Sequence, residues 1–426
     1  MNFSHIKTLL SGSLLAATGA AASFYVAPNG NDGGSGTAAL PWKTIQHAVE
    51  NIGPGDIIVV RAGTYAGVRI ENSGLPTAGK TLRADTGAKV MLNAPGPKNR
   101  HNSILEVENF SATVSYWTID GFEIENSPKY GVDVRVTESI TVQNCIVHDS
   151  ALTGIFDAFS NHPLIQNNIS YNNHEHGIYH SNSGDYPTIR GNQIHHNYAA
   201  GIHMNGDISQ GGDGIISFAT VEKNVIWENG LGGGSGINCD GVDNSIFRNN
   251  LLYSNHASGI SLYAIDAAHG SSNNQVFNNT IVMASDGRWT INIPKSSGGK
   301  KSPTGNQVLN NILWESNTAR GSILTYATAV AGFKSDHNIV VNRFSASGGN
   351  TNISLASWQQ KTGQDLHSIV SDPAALFVNA ASNDYHLKAG SPAVNAGATL
   401  PQVTDDLAGV KRPLGGLYDI GCYESF

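Results

Sequence analysis

Tyr179, His203, Asn205, Asn238 and Asp240 bring a phenol, an imidazole, two amides and a carboxylate into one stretch of the chain. That set matches the needs of β-elimination from a uronic-acid sugar. A base removes the proton beside the sugar carboxylate, the carboxylate is neutralised, and an acid assists the leaving oxygen. In this reading His203 is the base and Tyr179 the acid, while Asn205 and Asn238 hold the carboxylate. The same stretch offers a second chemistry. Asp240 with Asp207 or Asp213 makes the carboxylate pair of an inverting glycoside hydrolase. A third reading is a solenoid that binds or adheres to glycan without turnover.

These residues share a site only if the chain repeats. Ile165 precedes Gly177 by the same interval that separates Ile189 from Gly201, and the pairs Ile119/Gly131, Val142/Gly154 and Phe247/Gly259 keep it. One column reads Phe122, Cys145, Asn168, Asn192, Asn224, Asn250, Asn279 and Asn311, at spacings of 23, 23, 24, 32, 26, 29 and 32 residues. Such periods belong to solenoids. Short alternating apolar stretches with no helical period between them predict the coils of a parallel β-helix, roughly ten in number. Asn stacked in one column predicts amide ladders between coils about 4.8 Å apart. The Gly column is expected to supply positive-φ turns.

Strand alternation then sorts the residues after each Gly by face. One outward column reads Asp133, Phe156, Tyr179, His203, Asn238 and Ser261; the other reads Arg135, Ala158, Ser181, Asn205, Asp240 and Tyr263. Ser181, Tyr263 and Arg135 therefore join the candidate substrate-binding residues. The inward column contains Asp157, His180, Met204 and Cys239, and Asp157 with His180 is expected to form a buried hydrogen-bonded pair. The segment from Asn205 to Asp213 leaves the coil beside this face, and long loops on rigid scaffolds often carry function.

Composition narrows the field. Charged residues are 14% of the 426, the formal net charge is −8, and Gly accounts for 48 positions. No basic run exists, so nucleic acid is not an expected partner. Hydrophobic content of 40% suffices for a large core. Residues 1–22 combine Lys7, an apolar run and small residues, the pattern of a cleavable secretory signal. The expected product is a secreted, extracellular monomer of residues 23–426 with no membrane partner. Cys145, Cys239 and Cys422 are read as free thiols rather than a disulfide framework. His174, His176, His195 and His196 resemble a zinc cluster by composition, but their positions face different ways. Arg190, Glu222 and Arg248 fall in one outward column as an ion ladder. Trp42–Glu50 has helical spacing and is expected to cap the N-terminal end. Regular coils are expected over about 55–345, and an irregular cap over about 346–426. Asn168 lies in a glycosylation sequon but should point inward.

The opening Phe24-Tyr-Val-Ala-Pro-Asn-Gly-Asn-Asp32, then Pro41-Trp-Lys-Thr-Ile45, Gly55-Asp56 and Ala62-Gly-Thr-Tyr65, resembles secreted right-handed parallel β-helix proteins of the pectate-lyase-like superfamily. The ending, with Gly390-Ser-Pro-Ala393, Arg412-Pro413 and Asp419-Ile-Gly-Cys-Tyr-Glu424, is similar to their closing segment. The resemblance implies an all-β, right-handed solenoid acting on an extracellular polysaccharide, with catalytic groups on the strand after the Gly column. The Asp-Pro-His motif of C5-epimerases is absent at Gly154-Ile-Phe-Asp157, which favours elimination over epimerisation. Members of the superfamily also use Ca²⁺ held by acidic residues with a Lys or Arg base. That implies Asp207, Asp213, Asp240 and Asp243 as hard-oxygen ligands and Lys295 or Arg248 as the base, with Lys295 also a candidate substrate-binding residue.

Overall fold

The structure, a computed structural model, describes residues 21–296, 298–326 and 331–425. The signal-like segment lies, up to residue 20, outside them. Strands come in repeating triplets along the chain and stack into three parallel sheets of 12, 12 and 11 strands. The strand count agrees with the expected roughly ten coils, and strand Ser23–Val26, paired with Ile57–Val60, adds a first rung before them.

The repeated interval sets the register. On the first sheet Ile165 pairs with Ile189, Ile189 with Val221, Val221 with Phe247 and Phe247 with Val276. All of them are buried, and each large apolar side chain contributes about 1.5–3 kcal/mol to the stack.

The Asn column forms the expected ladder. Nδ2 of Asn168 donates to Oδ1 of Asn192 at 3.0 Å, and the pattern continues through Asn224, Asn250, Asn279 and Asn311 to Asn338. Asn168 is buried within it. A second ladder through Asn173, Asn197, Asn229 and Asn255 stabilises another corner of the coils.

The positive φ is not in the Gly column. It falls on the residue just before each ladder Asn: 56° at Asn167, 65° at Gly191, 56° at Lys223 and 54° at Asn249. Asn and Gly tolerate that left-handed corner. The Gly column answers to space instead. A Cβ on Gly177 would lie 2.3 Å from Ile194 Cγ2 and 2.8 Å from the Gly201 carbonyl oxygen.

Helix Ile45–Asn51, N-capped by Thr44, buries Ile45, Ala48 and Val49 over the N-terminal end. Helix Leu355–Thr362 turns Trp358 onto Phe344. Beyond it the chain runs along the flank of the coils, where Leu376, Phe377, Tyr385 and Ile420 pack on Leu251, Val282, Ile312 and Ile339. The three cysteines are free and buried.

Candidate active site

The third sheet carries the candidate residues in the anticipated columns. Strands Ile178–Ser181, Ile202–Asn205, Ser235–Asp240 and Ser258–Tyr263 are consecutive, with Tyr179 opposite His203, His203 opposite Asn238, and Asn205 opposite Asp240. The Tyr179 and His203 rings lie 4.6 Å apart between centroids, inclined by 40°. His176 packs against both, 5.1 Å from Tyr179 and 4.7 Å from His203.

His203 is 9% exposed, and this burial lowers its pKa to about 4. It is a neutral imidazole at physiological pH. Burial likewise holds His176 well below its usual value, with the proximity of His203 adding to the effect. Burial raises the phenols of Tyr179 and Tyr263, so both keep their protons. This face therefore offers acid and base groups without net charge.

The Asn238 carboxamide connects two of them, 3.0 Å from Nδ1 of His203 and 2.6 Å from the Tyr263 hydroxyl. Amide oxygen and nitrogen have the same shape, so the network assigns them. A separation of 2.6 Å is an O–H···O length and falls short of the usual N–H···O range. We therefore orient the amide with its oxygen toward both groups. It accepts from the Tyr263 hydroxyl and from Nδ1–H of His203, and its nitrogen faces Ser235 Oγ at 3.2 Å. Nε2 of His203 then keeps its lone pair. Asn238 thus orients His203 rather than gripping substrate. Asn205 donates from Nδ2 to the Tyr179 hydroxyl at 3.3 Å, leaving the phenolic proton free to be given away. Ser181 is buried in register beside Asn205.

A cleft of about 310 Å³ opens next to this network, lined by Asn238, Ser261, Tyr263, Asn292 and Arg288 among others. Arg288 was missed in the sequence, because it lies in the irregular connection before strand Ile291–Asn292, where no column places it. Larger hollows, of about 450, 470 and 350 Å³, occur at the N-terminal helix, in the C-terminal flank and beside Glu123 and Ile146. None of them contains the imidazole–phenol network, so the site is assigned by its chemistry.

Several expected residues do other work. Asp240 is 1% exposed, and its carboxylate accepts the backbone N–H groups of Ile265, Asp266 and Ala267. Burial raises its pKa and these bonds oppose the rise. It anchors a turn and does not face the cleft as a catalytic acid. The turn in turn holds the extension after Asn205, through Ile208 N to Asp266 O and Ala268 N to Gly214 O. Asp207 accepts from Ser209 N, and Asp213 from Ile215 N. Among the described residues that line the cleft there is no carboxylate, and this weighs against the paired-carboxylate hydrolase.

Asp243 accepts from Ser272 N. Asp207, Asp213 and Asp243 do not converge on a common point among the described residues. Without that convergence the trio does not fit a Ca²⁺ site among the described residues. Arg135 is bound to Asp133 at 2.7 Å and lies over Phe156, three strands from His203. Lys295 is exposed just beyond the cleft-lining Pro294. Arg248 sits on the first sheet, bridged to Glu222 at 2.7 Å, which removes it as a base for this face. The Asp157–His180 pair exists as expected, with Oδ2 and Nδ1 2.8 Å apart.

The solenoid and its polar third sheet define a parallel β-helix protein of the pectate-lyase-like kind. The Pel9A-like right-handed beta helix model matches residues 24–282, and the chain belongs to that family. It is 33% identical over 143 residues to pectate lyase PEL9 of Emericella nidulans, covering 29% of this chain and 34% of that protein. It is 24% identical over 135 residues to the uncharacterized protein YwoF of Bacillus subtilis, covering 31% of this chain and 28% of that one. The chain thus matches about a third of the length of these curated relatives. Among solved structures, pectate lyase Pel9A superposes with a TM-score of 0.60 at 17% identity, covering 96% of this chain and 97% of the other. A rhamnogalacturonan lyase gives 0.53 at 15%, covering 68% and 81%. Identities this low establish the fold alone.

Proposed function

We propose that the protein is a secreted, monomeric polysaccharide lyase that cleaves a uronic-acid-containing glycan by β-elimination on the third sheet. The observation that carries this reading is the neutral His203 imidazole, held through Nδ1 by Asn238, beside the protonated Tyr179 phenol. Nε2 of His203 takes the proton beside the sugar carboxylate as the carbon–oxygen bond to the leaving sugar breaks and a carbon–carbon double bond forms. Tyr179 gives its proton to the departing oxygen, and proton exchange with solvent restores both groups. Arg288 in the adjoining cleft pairs with the sugar carboxylate and neutralises its charge. Arg135 and Lys295, farther from the reacting groups, contact neighbouring sugars. Kinship with the pectate lyase PEL9 supports this substrate class, and the lack of a carboxylate among the described residues lining the cleft weighs against hydrolysis.

The test follows ultraviolet absorbance from unsaturated ends and new reducing ends in parallel. Uronate and neutral polysaccharides are offered with and without chelator, to wild type, His203→Ala and Tyr179→Phe. Both signals should rise together on a uronate polymer and fall at least about 100-fold in each variant. Reducing ends without absorbance overturn elimination, and binding without either signal makes the protein a glycan-binding solenoid.

A further inference from the structure

A second constellation lies on the second sheet, away from the candidate active site. Strand Glu123–Glu125 pairs with Ile146–His148 so that Glu125 stands opposite His148. Alternation puts Glu123 on the same face as Glu125. Nε2 of His148 lies 3.7 Å from Glu123 Oε1 and 3.9 Å from Glu125 Oε2. Neither distance is a hydrogen bond. Nε2 has no hydrogen-bond partner, although the side chain is only 9% exposed. A buried, unpartnered ring nitrogen calls for an explanation.

The rest of the ring supplies one. Nδ1 is 2.6 Å from Asp149 Oδ2, which assigns the proton to Nδ1 and leaves a lone pair on Nε2. That lone pair points at two carboxylates, an arrangement that repels itself unless a cation stands between. Were His148 merely an imidazolium bridging the glutamates, Nε2–H would lie within bonding reach of one of them. Tyr171 stacks on the imidazole at 4.7 Å and 9°, fixing the ring plane. Lys89 Nζ engages the other Glu123 oxygen, Oε2, at 2.9 Å, so Oε1 remains available.

We propose that Glu123, Glu125 and His148 bind a divalent transition-metal ion of the zinc class. Metal–ligand bonds of about 2.0–2.2 Å let one ion bridge ligand atoms up to about 4 Å apart. An imidazole with two carboxylates suits zinc rather than Ca²⁺. Asp149, bonded to the far ring nitrogen, is the outer partner that metal-bound histidines commonly have. The ion ties adjacent coils together and stabilises the native state by mass action. A comparable group, Asp336, His337 and His367, lacks the decisive feature. Nδ1 of His367 is bonded to Asp336, Nδ1 of His337 is bonded to the Ala396 carbonyl oxygen, and no buried orphan nitrogen is present there.

The experiment titrates ZnCl₂ calorimetrically, and CoCl₂ by visible absorbance, into tag-free, chelator-stripped protein and follows Tm with and without zinc. Wild type should bind one equivalent that raises Tm and gives cobalt d–d bands. His148→Gln and Glu125→Gln should each lose that equivalent, and His367→Ala should keep it. The partly exposed Glu125 makes Glu125→Gln the safe variant, checked by an unchanged Tm in chelator. Zinc binding retained in both first variants, lost only in His367→Ala, or absent from wild type overturns the proposal.

Discussion

His203 and Tyr263 meet through a single carboxamide. Asn238 lies 3.0 Å from Nδ1 of the imidazole and 2.6 Å from the phenol oxygen, so one side chain sets the tautomer of the base and the donor direction of the phenol. An apolar Asn238→Leu side chain would leave both groups unpartnered. Such a variant should keep its fold and lose kcat rather than gain KM, as measured by steady-state absorbance kinetics on the uronate substrate.

Acidity affects His203 and His180 in opposite senses. His203 has a folded pKa of about 4, below its unfolded value near 6.5, so the unfolded chain binds its proton first. Its contribution to stability is present above about pH 6.5 and is lost as pH falls toward 4. Burial pulls His180 down, but the adjacent Asp157 carboxylate wins and leaves its pKa raised. That contribution is fully present below pH 6.5 and is lost as pH rises through the folded pKa. Activity, which needs neutral His203, should keep its acid limb near pH 4 rather than near 6.5. A profile of kcat/KM against pH checks this, and His203→Ala should remove the His203 part of the stability profile measured by denaturant titration.

Arg288 is the cation among the described residues that line the cleft. Arg288→Ala should raise KM on a uronate polymer by about tenfold or more, as expected when a charged hydrogen bond is lost. On the carboxyl-reduced polymer the two proteins should bind equally, which calorimetry with oligosaccharide would show.

Asp240 holds the 265–267 turn by three backbone hydrogen bonds. Asp240→Ala should therefore loosen the turn that carries the cleft-lining Ile265, raising KM more than it lowers kcat. It should also increase hydrogen exchange across 264–268 and in the extension after Asn205. A collapse of kcat at unchanged KM would restore Asp240 to the chemistry.

In the middle of the ladder, Asn224 donates to the Ile189 carbonyl and to Asn250, and accepts from Asn192. Each buried group left without its partner costs about 1–3 kcal/mol. Asn224→Ala should lower unfolding free energy by at least that much, whereas the same change at exposed Asn51 should be nearly silent. Chemical denaturation of the two variants makes the comparison.

The amino-acid sequence by itself determined the neighbours across coils. When the interval between an apolar residue and the next Gly repeats, hydrogen-bond register follows, and alternation then fixes which side chains share a face. Tyr179 beside His203, His203 beside Asn238, Asp157 beside His180 and the Asn168 ladder were all legible for that reason. Tertiary structure alone decided which polar groups remain free. Asp240 stands in the anticipated column, yet a turn twenty-five residues later claims both its oxygens. Arg288 enters the cleft from a connection with no period. The Gly column exists for want of space, and the left-handed corners fall one residue before the Asn. Periodicity governs the strands because neighbouring coils must bond to one another. The connections between them obey no such repeat, and their hydrogen bonds and cations become visible only when the coils are stacked.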